Sequence, residues 1–239
     1  MTSCFTYLLR HAPTVYSVDY RVNGDPVVDV PMTDDGVAAC QAAKSIVPID
    51  AVATCVASTF DRCVRTAELI TAGRVHVHRD ARLNELDYGA CEGGPFLTYA
   101  RWLAEYGPHV RPPGARESQA EGIVRMLTGL RATLGWPGPR LVVAHGLLVS
   151  VIQWAQSHPH QPLTDVFLPA ARCLTPLVIG DADLRAVIDW FLRDLDHGMR
   201  RRRGWHVDLG VFPREARDGL ATVSTHASVS RDEDEATHA

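Results

Sequence analysis

The chain has 239 residues, with 24 Lys and Arg against 28 Asp and Glu and a formal net charge of −4 at pH 7. That slight negative balance argues against a general nucleic-acid binder, and no apolar run approaches the roughly 20 residues of a membrane-spanning helix. The start, Met1-Thr2-Ser3-Cys4-Phe5, has no signal-peptide pattern, and six scattered cysteines without a C-x-x-C pair fit reduced thiols in a cytoplasmic protein, not a disulfide frame or a zinc site.

Strands and helices alternate along the chain. Residues 5–9 read as a short apolar strand running straight into Arg10-His11, and residues 16–31 as a loop rich in turn residues. Thr33 can cap a helix over residues 34–46, with Asp34 and Asp35 in its first turn. Residues 51–56 form a β-branched, buried strand ending at Ser58; residues 61–71 carry helical spacing, with Gly73 as the stop. Residues 75–78 alternate like a short strand. Residues 89–114 are loop-rich, with a helix near 98–105. A long helix over 117–134, a strand at 141–144 and a helix at 147–156 follow. Residues 174–179 and 184–191 flank Gly180-Asp181-Ala182-Asp183, which suggests a hairpin at a sheet edge, with a helical second arm as the alternative. The domain extends over residues 1–197. Residues 198–239 form an extension with a basic run, Arg200 to Arg203, read as a solvated face, and a polar, acidic end at 227–239 expected to be disordered.

Three of these strands end at, or just before, groups that bind or attack an anion. The first delivers Arg10 and His11, the second leads through Ser58 to Arg62, and the third ends at His145-Gly146. In open α/β sheets ligands sit beyond the carboxyl ends of the strands, so these deliveries can build one positive pocket. A transferring phosphoryl group spreads negative charge over its oxygens and calls for fixed cationic donors. Arg10 and Arg62 offer forked, permanently charged donors. A neutral imidazole is a competent nucleophile near pH 7. Glu85, in Leu83-Asn84-Glu85-Leu86-Asp87-Tyr88-Gly89, can protonate a leaving alkoxide if its pKa is raised. This chemistry needs no metal or cofactor. Each residue alone has a blander reading: a structural Arg-His pair, a surface carboxylate, a solvated arginine, a core histidine.

Taken in order, these segments resemble the histidine phosphatase superfamily, also called phosphoglycerate mutase-like. Leu8-Leu9-Arg10-His11-Ala12-Pro13-Thr14 occupies the place of the family's opening Arg-His-Gly. Met32-Thr33-Asp34-Asp35-Gly36, the run from Ser58 through Arg62 to Thr66-Ala67, the acid segment around Glu85 and Val142-Val143-Ala144-His145-Gly146 follow in the family's order, over roughly residues 5–197. The resemblance implies a three-layer α/β/α fold with a mostly parallel central sheet. It implies His11 as the phosphorylated nucleophile and Glu85 as the proton donor, with Arg10, Arg62 and His145 on the phosphoryl oxygens. Two positions depart from the family pattern. Ala12 replaces the usual glycine, and Ser17 stands where many relatives carry a phosphate-binding asparagine.

The resemblance covers phosphatases and mutases. Residues 94–116 are moderate in length, shorter than the long insertion of the mutases, and Pro112-Pro113-Gly114-Ala115-Arg116-Glu117-Ser118 resembles the phosphatase branch. The favoured reading is a phosphomonoesterase acting on a small phosphorylated metabolite, such as a sugar phosphate or nucleotide. A phosphoglycerate-type mutase and a non-catalytic phospho-ligand-binding module are the alternatives, and homo-oligomerisation is left open. Ser17, Arg21 and Asn23 are candidate substrate-binding residues. Tyr16, Tyr20, Phe96, Tyr99, Trp102 and Tyr106 either wall the pocket mouth or pack loops onto the domain. His76 and His78 share a strand face without a further metal ligand. His109 is placed at the pocket border, and His197 at a packing position near the end of the last strand.

Overall fold

The computed structural model describes residues 4–43, 46–200 and 204–211. Strand β1 (Phe5–Arg10) is followed by a single helical turn, α1 (Val15–Val18), inside the segment expected to be a loop. Thr14 and Ser17 close that turn as a reciprocal capping box, each hydroxyl accepting from the other's backbone N–H. Helix α2 (Asp34–Ala43) starts where Thr33 accepts from the Gly36 N–H, as its sequence suggests. Strand β2 (Thr54–Ala57) lies slightly later than expected, because residues 49–51 form a tight 3₁₀ turn before it. Helix α3 (Asp61–Thr71), strand β3 (Val77–Arg79), helix α4 (Phe96–Tyr106) and helix α5 (Gln119–Thr133) follow, and α5 opens on a Ser118–Glu121 capping box. Strand β4 (Arg140–Ala144) leads into α6 (Gly146–Ser157) and strand β5 (Leu177–Gly180) into α7 (Asp181–Arg200).

The sheet order is β3-β2-β4-β1-β5. All neighbours are parallel except β5, which runs antiparallel to β1 along the edge. Side chains alternate across the sheet and feed two cores. Leu9, Cys55, Ala57, Leu141 and Val143 pack under α2 and α3. Leu8, Val56, Val142 and Ala144 pack under α4, α5, α6 and α7. The result is the three-layer α/β/α arrangement, with a mostly parallel sheet, that the family resemblance implied.

The suggested hairpin is corrected: only its first arm is a strand, and the second is α7. Leu184, Ile188, Phe191 and Leu195 recur at intervals of three and four residues and are all buried, which is a helical stripe against α5 and α6. Asp181 and Asp183 sit in its first turn, where carboxylates suit the helix dipole. His197 is therefore on α7, not at the end of a strand, and is exposed. Helix α7 runs past residue 197, and the segment around Trp205 returns to the domain. The His206 N–H donates to the Thr164 carbonyl, Val166 N–H donates to the His206 carbonyl, and the Trp205 indole covers Gly107, where a Cβ would come within 2.7 Å of it. The acidic end at 227–239 and Arg201 to Arg203 lie outside the described residues. Among the described residues no helix is long and apolar enough to cross a membrane, and the six cysteines are free thiols.

Candidate active site

Parallel pairing brings the three strand ends to one edge. Beyond the last β1–β4 pair, the His11 N–H still donates to the Ala144 carbonyl at 3.0 Å, and beyond β2 the Ser58 N–H donates to Val143 at 3.1 Å. His11, Ser58 and His145 therefore leave the sheet side by side. Hydrophobic registry, not local propensity, sets this convergence: a slip of one residue would turn each strand's core side chains to the opposite face.

His11 is 5 % exposed. Its Nδ1 lies 2.7 Å from the Ala12 carbonyl, which can only accept, so the proton sits on Nδ1 and the Nε2 lone pair faces the site. Arg62 Nε donates to that lone pair at 3.2 Å. Burial first, then the charges of Arg62 and Arg10, holds the imidazole well below the ordinary histidine pKa, so it is neutral. Ala12 does not occupy the left-handed region of φ. Its methyl is fully buried in the core under α2 and α3, and its N–H donates to Thr66 of α3 at 3.1 Å. The methyl therefore packs into that core.

Arg62, in the first turn of α3, is buried and stacks 4.1 Å over the Phe60 ring. It donates to the Asn23 side-chain oxygen, to the Asn23 carbonyl at 3.0 Å and to His145 Nδ1 at 3.3 Å. Since Nδ1 accepts, His145 carries its proton on Nε2, which donates to Ser58 Oγ at 2.9 Å. His145 is wholly buried, and burial followed by the Arg62 charge holds it well below the ordinary value as well. Arg10 donates from Nη1 to the Ala171 carbonyl, while its Nε is buried with no hydrogen-bond partner among the described residues. Gly146 makes room for it, since a Cβ there would lie 3.3 Å from that Nε. A buried charged donor without an acceptor is costly, and an anion would satisfy it.

Glu85 follows a 3₁₀ turn at residues 81–83. Asn84 ties the segment to the β2 end, accepting from the Thr59 N–H and hydroxyl at 2.9 Å each. One Glu85 oxygen accepts from the Leu86 N–H, and the other lies 3.9 Å from His145 Nδ1. Burial raises the Glu85 pKa against the opposing pull of that N–H and of Arg62, Arg10 and Arg125. With both groups pushed toward their neutral forms, the Glu85–His145 contact is not an ion pair.

The other candidates sit as follows. Asn23 is buried beside Arg62, and its amide donates to Glu92 at 2.9 Å, while the Gly24 N–H donates to the same carboxylate at 2.8 Å. Ser17 is committed to the α1 cap, accepting from the Thr14 N–H and donating to the Thr14 carbonyl. Arg21 is exposed; it lies 4.2 Å over the Tyr16 ring and donates to the Gly93 carbonyl. Tyr99, Trp102 and Tyr106 stack along one face of α4, with Tyr99 buried edge-on against Tyr88 and Tyr106 half-exposed. Phe96 packs against the large core, and Tyr20 is 72 % exposed. His76 and His78 pack edge to face, His78 also against Trp136, and no group of three or more metal-ligating side chains exists among the described residues. His109 borders a cavity of about 30 Å³ with Gln119, Leu163 and Trp205, a group that shares no residue with the His11 cluster. Glu92, Thr66 and Asn84 gain a place at the site only from the structure. Each acts by holding a neighbour, and a single sequence carries no signal for such long-range contacts.

The family model of the histidine phosphatase superfamily (branch 1) matches residues 6–186. Among solved structures, YhfR of Bacillus stearothermophilus is similar with a TM-score of 0.61 and 23 % identity, covering 73 % of this chain and 90 % of that one. The alpha-ribazole phosphatase of Shigella flexneri gives a TM-score of 0.57 at 20 % identity, covering 73 % and 89 %. A mycobacterial glucosyl-3-phosphoglycerate phosphatase complexed with VO3 gives 0.54 at 23 %, covering 64 % and 81 %. No curated protein matches the chain in sequence.

Proposed function

This chain belongs to the histidine phosphatase superfamily, and from that premise we propose that it is a metal-independent phosphomonoesterase working through a phosphohistidine on His11. The observation that carries the reading is the tautomer of His11: Nδ1–H is held by the Ala12 carbonyl, so Nε2 presents its lone pair beside the Arg62 guanidinium. A phosphoryl group entering there would take the donors of Arg62, the buried Nε of Arg10 and the His145 ring, which gains a proton more readily next to a dianion. Nε2 attacks phosphorus, the bond to the leaving oxygen breaks, and Glu85 gives that oxygen its proton. Glu85 as carboxylate then takes a proton from water, whose oxygen attacks phosphorus as the N–P bond breaks, and His11 is regenerated neutral. Stabilisation of charge on the equatorial oxygens comes from fixed cationic donors among buried side chains.

The substrate reading is a small phosphorylated metabolite. Two solved structures of the same fold are named as phosphatases of alpha-ribazole and of glucosyl-3-phosphoglycerate, which supports that class without choosing a member. The test is hydrolysis of an aryl phosphate with a chelator present, together with trapping of an acid-labile phosphoryl adduct on His11. His11→Ala should lose both the adduct and turnover. Wild-type turnover in that variant would sink the reading.

A further inference from the structure

The acid segment lies across one face of α5, and that face is shaped for it. Positions 122, 125 and 129 fall on successive turns of the same side of the helix. A Cβ at Gly122 would come within 2.2 Å of Leu86 Cδ2, and one at Gly129 within 2.8 Å of Arg82 Cβ. Gly129 lets the Arg82 backbone come close to the helix, and Gly122 leaves room for the Leu86 side chain against it. Between them stands Arg125. Its Nη1 donates to the Arg82 carbonyl at 2.8 Å and to the Asn84 carbonyl at 2.9 Å, and its Nη2 donates to the Glu85 carbonyl at 3.1 Å. The remaining donors go to Glu117, from Nε at 2.8 Å and from Nη2 at 2.6 Å. Glu117 in turn accepts from the Asp87 N–H at 3.3 Å, on the other side of Glu85. One guanidinium and one carboxylate thus clamp the backbone on both sides of the acid.

We propose that Arg125, oriented by Glu117, is a positioning residue for the general acid: it fixes the backbone from which Glu85 reaches the leaving oxygen. Arg125 touches neither His11 nor the donors that would hold the phosphoryl group; its guanidinium is spent on backbone carbonyls of the acid segment and on Glu117. The planar fork matters, because three carbonyls and a carboxylate are reached by one rigid group. A lysine keeps the charge and loses the fork. The proposal rests on the assignment of Glu85 as proton donor.

A merely structural clamp and a positioning clamp differ in which substrates suffer. An acidic leaving group departs without a proton, and a basic one does not. The experiment measures kcat/KM, which covers the steps up to phosphoryl transfer to His11 and not the later hydrolysis, for wild type, Arg125→Met and Arg125→Lys over a graded series of aryl phosphates from 4-nitrophenyl to phenyl. In Arg125→Met we expect kcat/KM to fall on the order of tenfold to a hundredfold for phenyl phosphate and about threefold or less for 4-nitrophenyl phosphate, since misplacing the acid forfeits part of the roughly hundredfold to ten-thousandfold that general acid catalysis contributes, and only for the poor leaving group. The dependence on leaving-group acidity therefore steepens. Arg125→Lys, which keeps the charge, should show the same trend at smaller amplitude and remains readable if Arg125→Met does not fold. A parallel fall across the series, or no fall, overturns the proposal. Failure of the wild type to hydrolyse any member would overturn the phosphatase reading instead.

Discussion

Ala12 stands where the family usually has glycine, and Ala12→Gly tests what the methyl does. In the structure the residue is fully buried in the core under α2 and α3, and its φ is outside the left-handed region. Removing one buried carbon costs about 0.8 kcal/mol of transfer free energy. Glycine's extra freedom in the unfolded chain adds roughly 0.4–1 kcal/mol, because the native backbone suits alanine without strain. The sum is about 1–2 kcal/mol of lost stability, a Tm lower by about 3–6 °C for a domain of this size. Thermal unfolding followed by circular dichroism or calorimetry measures it, and kcat and KM on an aryl phosphate should stay within about twofold, since the methyl faces the core. An unchanged or higher Tm, or an activity change beyond tenfold, would refute the reasoning and make Ala12 a residue that shapes the substrate pocket.

Three further outcomes follow from the same geometry. In the proposed mechanism His11 acts when neutral and its pKa is held low, so activity should persist to pH values below the ordinary histidine value of 6.5; Glu85 would act when protonated and its pKa is raised, so the rate should be lost as pH rises through that raised value. A pH profile of kcat/KM in which Glu85→Gln keeps the alkaline limb would contradict the acid role. The same buried neutral histidines bind protons more weakly folded than unfolded, so folding stability should decline as pH falls below about 6.5, the unfolded histidine value, and denaturant titrations across acid pH check this. Asn23→Ala frees Arg62 from its side-chain anchor and leaves Glu92 without that partner. Losing one hydrogen bond to a charged group is worth about 1.5–3 kcal/mol; if half of it reaches the bound state, kcat/KM falls on the order of tenfold, mostly through KM, which steady-state kinetics would show.

How far the sequence reaches is clearest at particular residues. The run Leu8-Leu9-Arg10-His11 was legible because an apolar strand that stops at a cation and an imidazole is a local pattern, and so was His145 after Val142-Val143-Ala144. Helix α2 announced itself through Thr33, and the long helical stretch over 117–134 contains α5, whose Ser118–Glu121 box became visible only in the structure. The second arm of the edge motif was ambiguous, because Leu184 to Phe191 offers apolar residues that fit both periods over so short a span; packing against α5 and α6 decided for the helix.

Sequence alone, then, picked out the candidate cast: the strand-end residues, the acid segment and their order, since chemistry needs given residue types and local pattern places them on elements. Tertiary structure decided what those residues are. The tautomer of His11 follows from the Ala12 carbonyl, its low pKa from burial and then the charges of Arg62 and Arg10, and the raised pKa of Glu85 from burial. Ser17, Asn23 and Arg125 received their tasks only there: the first caps a helical turn, the second anchors Arg62, and the third clamps the acid from 40 residues away in the chain. Such contacts depend on how α5 and the loops close over the sheet, which no local pattern encodes, because the energy that selects them comes from burial and satisfied polar groups across the whole domain.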